Sequence, residues 1–395
     1  MPYGLSKLKS GYKFFSIFEG LIVEYCTHGG LLLPSLLQIF SALGIPKLKA
    51  AQLGVSKFTE RITSYMWKKI LAFVFLAIVI LVAGGLVFLF LRRPAMVPAS
   101  SIRVETTEAR LARGKYLYHN LAACVDCHSG RDFTRFGGPE IPGTVGQGFV
   151  FPPELGLPGN VVAPNITPDK ETGIGNWTDG EKIRAIREGI SRDGRVLFPM
   201  MPYAGFRSMS DEDVYSLVAY LNSLLPIRNA LPVTKIKFPV SQFIKSVPQP
   251  VGNVPPVDRS NKLKYGEYLV TIGGCAGCHT QTEKGEPIKG KTLAGGEVFR
   301  LPFGTVYSAN ITPDMDTGIG KWSEQNFLDK FYQYRRYVEN GSPMVGPEGV
   351  TVMPWLSFCQ LPQEELGVIY AFLKTQPAVY NAVETHPLDQ QPASQ

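Results

Sequence analysis

Two short stretches of this 395-residue chain carry the residue types best suited to chemistry, Cys124-Val-Asp-Cys127-His128 and Cys275-Ala-Gly-Cys278-His279. Six cysteines and five histidines are present in all, so these two Cys-x-x-Cys-His matches take most of the thiols. Two thiols three residues apart can add to the two vinyl groups on one edge of a haem. The histidine directly after them then lies under the porphyrin with an imidazole nitrogen toward iron. The spacing therefore predicts two covalently attached haem c groups, one on Cys124, Cys127 and His128, the other on Cys275, Cys278 and His279. A redox dithiol, a zinc site and structural disulfides are the alternatives. The immediate His disfavours the dithiol, and a four-Cys zinc site needs two pairs far apart in sequence to meet.

The surroundings of the motifs repeat as well, which points to duplicated units. NITPDKETGIGNW at 165–177 matches NITPDMDTGIGKW at 310–322 in ten of 13 positions. Met201-Pro202-Tyr203 corresponds to Met353-Pro354-Trp355, and DEDVYSLVAYLNSL and QEELGVIYAFLKTQ follow at the same separation. The offset is 151 residues at the Cys motif, 145 at NITP and 152 at Met-Pro, so insertions differ while order is kept. A c-type haem with one His takes a second axial ligand, and a thioether raises its potential. Met201 and Met353 are the expected ligands, because Pro after each restricts it to extended backbone. Met200, Met209 and Met344 compete, as does His119 if the first haem is bis-His.

Helices must hold these groups. Gly114 and Gly266 lie on the segments leading into the Cys motifs, each followed two residues later by Tyr-Leu. In the closing segments Val214, Leu217, Val218 and Leu221, and Leu366, Ile369, Tyr370 and Leu373, recur at i, i+3, i+4 and i+7 and make one apolar face each. Ser210 with Asp213 reads as an N-cap with an acid in the first turn, and Pro362 as a first-turn residue. The glycines would let the first helix of each unit cross the last at close range, giving a small all-α module closed around its haem.

Ile70 to Leu91 runs without a charge between Lys68-Lys69 and Arg92-Arg93. At 1.5 Å per residue that is about 33 Å, enough to cross a bilayer core of roughly 30 Å, and too long for a signal peptide. It reads as an uncleaved anchor. Upstream Lys residues put the N-terminus in the cytoplasm and the rest on the opposite side. Residues 1–65 form an extension of uncertain status, and Met66 followed by Trp-Lys-Lys suggests that the extension is an upstream translation. The net charge of +7 resides near the anchor: residues 1–69 hold nine Lys or Arg against three acids, leaving 29 basic and 30 acidic residues after Arg93. A neutral bulk without a basic and aromatic stripe excludes nucleic acid as a partner. The proline-rich tract from Pro226 to Pro256 reads as a stiffened linker containing a short strand.

With NITPD, TGIG, Trp and the Met-Pro-aromatic segment, the sequence resembles class I cytochromes c. More narrowly it resembles the cytochrome c subunits of periplasmic alcohol and sugar-acid dehydrogenases, over about residues 105–228 and 258–376. The resemblance makes each repeated unit a class I cytochrome c domain. With the anchor and the repeat, the expected organisation is an all-α fold, an N-terminal transmembrane helix (70–91) followed by two tandem class I cytochrome c domains (105–228 and 258–376), with a linker at 229–257 and a tail at 377–395. The resembled subunits commonly carry three haem domains, and here there are two behind a true anchor. It implies an electron-transfer protein of the bacterial inner membrane with its haem domains in the periplasm, taking electrons from a dehydrogenase donor and passing them to an oxidase or cytochrome acceptor. No catalytic residue is expected, since no nucleophile or general base stands in a distinctive setting. A di-haem peroxidase and the di-haem subunit of a haem-copper oxidase are the other readings. Under the resemblance the sequons at Asn165, Asn176 and Asn310 are loop residues at the haem edge, and Cys359 is a small buried residue.

Overall fold

A computed structural model describes residues 46–387, apart from 284, 302–303 and 346–350. Residues 1–45 of the expected extension, Cys26 among them, lie outside the described residues. The chain divides into two units, 1–89 and 90–395. The described part of the first is a helix, α1 (Pro46–Leu91), within which Arg61–Leu91 is long and apolar enough to cross a membrane and buries none of its most apolar window. Phe73 and Leu81 are each 74% exposed, a poor arrangement in water and the expected one in lipid. The helix continues through Met66 without a break.

The second unit opens with α2 (Glu108–Tyr116), whose N-cap Thr107 accepts from Arg110 N–H. The helix widens by one turn over Leu117–Leu121, where Ala122 N–H donates to Leu117 O, and ends before α3 (Val125–His128). Three two-residue strands follow, β1 (Phe149–Val150), β2 (Gly159–Asn160) and β3 (Val162–Ala163), with β1 and β3 antiparallel. A capping box of Thr178 and Glu181 starts α4 (Asp179–Glu188). The short α5 (Tyr203–Phe206) precedes α6 (Asp211–Ser223), which Ser210 caps as the sequence suggests. The proline-rich tract then supplies β4 (Lys235–Ile236), antiparallel to β2, and α7 (Val240–Phe243).

The same order of helices recurs. Asn261 caps α8 (Lys262–Ile272), and α9 (Cys275–His279) carries the second Cys motif. Two antiparallel pairs follow, β5 (Thr282–Glu283) with β6 (Glu286–Pro287), then β7 (Val298–Leu301) with β8 (Gly304–Tyr307). Next come α10 (Glu324–Tyr332), α11 (Arg335–Asn340), α12 (Trp355–Phe358) and α13 (Gln363–Lys374). Pro362 is the N-cap of α13, one position ahead of the first turn expected for it. The unit is thus mainly helical, and the four small sheets depart from a purely α fold. Three of them lie between Cys motif and NITP loop, where the repeats differ in length and turn-rich sequence leaves backbone groups to pair locally, and the fourth pairs β2 of that stretch with β4 of the proline-rich tract.

Helix α2 crosses α6, and α8 crosses α13, at the glycines. A Cβ on Gly114 would meet the Ser216 carbonyl oxygen at 2.0 Å, and one on Gly266 the Val368 carbonyl oxygen at 2.2 Å. Backbone contact of that kind needs a residue without a side chain. Around the crossings Leu117, Leu121, Leu217 and Val218 join Leu269, Ile272, Leu366 and Leu373 in one buried cluster. Each such side chain contributes about 1.5–3 kcal/mol of burial, so the repeated elements share one core.

Candidate functional site

The two Cys-Cys-His segments sit where the leading helices stop. Helix α2 with its wide turn ends at Ala122, α8 at Ile272, and the residue just before each first Cys takes a left-handed conformation, Ala123 at φ 45° and Gly274 at φ 69°. That reversal starts the short helices α3 and α9. All six residues, Cys124, Cys127, His128, Cys275, Cys278 and His279, line one cavity of about 1070 Å³, mostly walled by apolar side chains.

Each imidazole is oriented by the backbone opposite it. His128 Nδ1 lies 2.8 Å from Pro164 O, and His279 Nδ1 lies 2.7 Å from Ala309 O. A carbonyl only accepts, so Nδ1 carries the proton and Nε2 keeps its lone pair in the neutral ring. Burial lowers the pKa of both histidines despite these bonds, which favours that neutral form. Pro164 and Ala309 directly precede the NIT triplets, so the repeated loop is what holds the imidazole.

The NIT loops are built identically. Asn165 Oδ1 accepts from Thr167 N–H and its hydroxyl, while Nδ2 donates to Thr172 Oγ1 and Ile227 O. Asn310 repeats the set with Thr312, Thr317 and Val379. Both asparagines are buried. Trp177 and Trp322 line the cavity beyond them.

Met201 and Met353 also line the cavity, each at the entry to α5 or α12. Of their competitors, Met200 lines it too and is 39% exposed. Met209 is wholly buried in the core, Met344 is 67% exposed beside Thr134, and neither borders the cavity. His119, the bis-His candidate, is also absent from the lining; its Nε2 pairs with Tyr220 Oη at 2.8 Å.

Burial pushes the thiols of Cys124 and Cys275 up to about 12 and Cys127 up to about 11, with Cys278 raised as well. They are neutral thiols facing apolar space, unpaired as disulfides. Among the described residues no three His, Cys, Asp or Glu side chains are grouped to hold a metal ion directly, so the zinc reading finds no geometry. A paired-thiol edge, a lone-pair imidazole and a thioether around an apolar cavity are the donor set for a covalently held haem, and the residues present fit that group.

Two parts of the wall were overlooked in the sequence. Leu231 to Thr234, in the tract read as a linker, line the cavity, as do Val383 and Thr385 in the tail. Asn229 Nδ2 donates to Gln147 O, and Asn381 Nδ2 to Ala294 O. Ile227-Arg-Asn-Ala-Leu231 matches Val379-Tyr-Asn-Ala-Val383 at the same offset of 152, a weak repeat that could have revealed them.

Residues 111–225 match the family model described as Cytochrome c. The chain is 28% identical over 296 residues to the cytochrome c subunit of a quinone alcohol dehydrogenase from Gluconobacter oxydans, covering 70% of this chain and 56% of that protein. It is 30% identical over 313 residues to the fructose dehydrogenase cytochrome subunit of Gluconobacter japonicus, covering 73% and 59%. A diheme cytochrome c-type protein of Cereibacter sphaeroides is 29% identical over 308 residues, covering 76% of this chain and 96% of that one. The chain therefore spans little more than half of the two dehydrogenase subunits. Residues 111–225 carry a cytochrome c domain, and over 70–76% of its length the chain is similar to cytochrome c subunits and to a diheme cytochrome c.

Proposed function

We propose that the protein is a membrane-anchored di-haem c-type cytochrome that carries electrons on the periplasmic side of a bacterial inner membrane. Its donor is a dehydrogenase and its acceptor an oxidase or another cytochrome. The observation that carries this reading is the shared cavity, which both Cys-Cys-His segments, both Met-Pro segments and both NIT loops line. Bound haem supplies a one-electron iron couple. The chain's part is to tether it through Cys124 and Cys127, or Cys275 and Cys278. His128 and His279 would hold the iron through Nε2, and Met201 and Met353 through their thioether sulfurs.

Two tandem class I domains, 105–228 and 258–376, each gain a cover from the segment after the closing helix. The exposed apolar surface of Arg61–Leu91 supports the anchor, and the relatives named as dehydrogenase subunits support the donor. A Met on each cavity wall, where it would take the iron position that peroxide needs, favours transfer over catalysis. Protein purified from native membranes in mild detergent is expected to hold two haems per chain by haemochrome assay and mass, with a dehydrogenase in stoichiometric amount. One haem per chain, or peroxide turnover, overturns the reading.

A further inference from the structure

The repeated helices meet through a polar clasp that obeys a local two-fold relation. Tyr268 on α8 donates its hydroxyl to Asp213 Oδ2 on α6 at 2.6 Å, and Tyr116 on α2 donates to Glu365 Oε2 on α13. Both pairs join the leading helix of one repeat to the third residue of the closing helix of the other. Tyr116 and Tyr268 are 152 residues apart, as are Asp213 and Glu365. Each carboxylate is also held from within its own repeat. Arg113 bonds Asp213 through Nε and Nη2 at 2.8 and 2.9 Å, and Tyr265 donates to Glu365.

Arg113 Nη1 lies 3.5 Å from Glu365 as well, so one guanidinium faces both carboxylates. Asp213 and Glu365 are buried. Buried carboxylates accept such donors in one geometry only, because an unmade bond there leaves a desolvated charge. Apolar contact alone would let the two helix pairs slide; the clasp gives the contact a register.

That register reaches the cavity. Tyr116 stands eight residues before Cys124 and Tyr268 seven before Cys275, each on the helix that delivers its Cys motif. Close by, Asn120 Nδ2 donates to Ser357 O, and Asp126 accepts from Ser357 Oγ at 3.2 Å. The first attachment segment is therefore bonded to α12, which follows Met353.

We propose that Tyr116, Tyr268, Asp213 and Glu365 are positioning residues for electron transfer between the two haems, setting the separation and orientation of the two attachment segments. The proposal rests on the di-haem reading. None of the four side chains lines the cavity, so they act through placement rather than by touching the groups.

The test is the double variant Tyr116→Phe with Tyr268→Phe in the full-length, haem-loaded protein, beside each single variant. Haem count and the absorption bands of each iron are expected to stay as in the wild type. Electron equilibration between the haems after flash reduction is expected to slow by about tenfold or more in the double variant, with weaker magnetic coupling between the ferric irons by electron paramagnetic resonance. Replacing two bonds to charged acceptors shifts the docked population by about that factor or more. Lower thermal stability with an unchanged equilibration rate and coupling would overturn the proposal, leaving the clasp a structural contact. A haem count of one would instead refute the reading beneath it. Should the double variant fail to fold, the single Tyr268→Phe variant carries the same comparison.

Discussion

Ala123 and Gly274 stand at the same turn, directly before the first cysteine of each motif, and both are left-handed. For an L-residue that conformation costs roughly 1–2 kcal/mol, which glycine escapes. Glycine returns part of the gain through its freer unfolded chain, by about 0.4–1 kcal/mol. Ala123→Gly should therefore raise stability by about 0.5–1 kcal/mol. Gly274→Ala should lower it by a similar amount, since no atom lies within 4 Å of the added Cβ. Denaturant unfolding of the two variants checks this, and a loss of stability in Ala123→Gly would contradict it. At the same scale, Met201→Ala and Met353→Ala are each expected to remove the thioether-to-iron absorption band of one haem and lower its potential. An unchanged spectrum would move the ligand to Met200 or elsewhere. The cysteines and histidines stood out in the sequence because the proposed covalent attachment demands one fixed spacing, which occurs twice. The strained Ala123 was not, since nothing in its type announces a left-handed turn.

Helix crossings were legible from glycine because backbone contact leaves a single residue choice. Gly114→Ala and Gly266→Ala should each cost at least the 1–3 kcal/mol typical of overpacking, because the atoms in the way belong to the opposing backbone. Gly84→Ala in α1, with no atom within 4 Å, should be nearly neutral or slightly stabilising. Thermal unfolding of the three variants separates them, and equal shifts would mean that the crossings are looser than described. The covering segments were missed for a different reason. Prolines at 226, 232, 239, 248, 250, 255 and 256 suggested a spacer, yet proline limits only φ and the donor it removes. The Asn229 and Thr234 side chains pin the tract through bonds to Gln147 O and Val162 O. Apart from the short strand read in this tract, which is β4, the small sheets were equally hidden, their strands being two to four residues long and set by which loops happen to lie side by side.

Across the whole second unit, acid should act on the contact between the repeats. Asp213 is the group to follow. Burial works against its ionisation, but the bonds and charge of Arg113, the Tyr268 hydroxyl and Arg259 outweigh it and hold its carboxyl below the usual aspartate range. Glu365 faces the same Arg113 from the opposite side, with Tyr116 and Tyr265. Burial raises the Tyr116, Tyr265 and Tyr268 hydroxyls, so they stay protonated donors throughout the acid range. A carboxylate depressed in the folded state contributes stability that is complete above its unfolded value, about 3.9, and is lost as pH falls through the folded value. The urea midpoint of the wild type should therefore drop steeply below about pH 4. In Asp213→Asn the midpoint should start lower at pH 7, where Arg113 has lost its charged partner, and fall less between pH 5 and pH 3. The two profiles should converge in acid, because protonated Asp213 and Asn are both neutral partners for Arg113 and Tyr268. Parallel profiles would mean that Asp213 titrates with the same pKa folded and unfolded, and that the charge between the repeats is carried by another group.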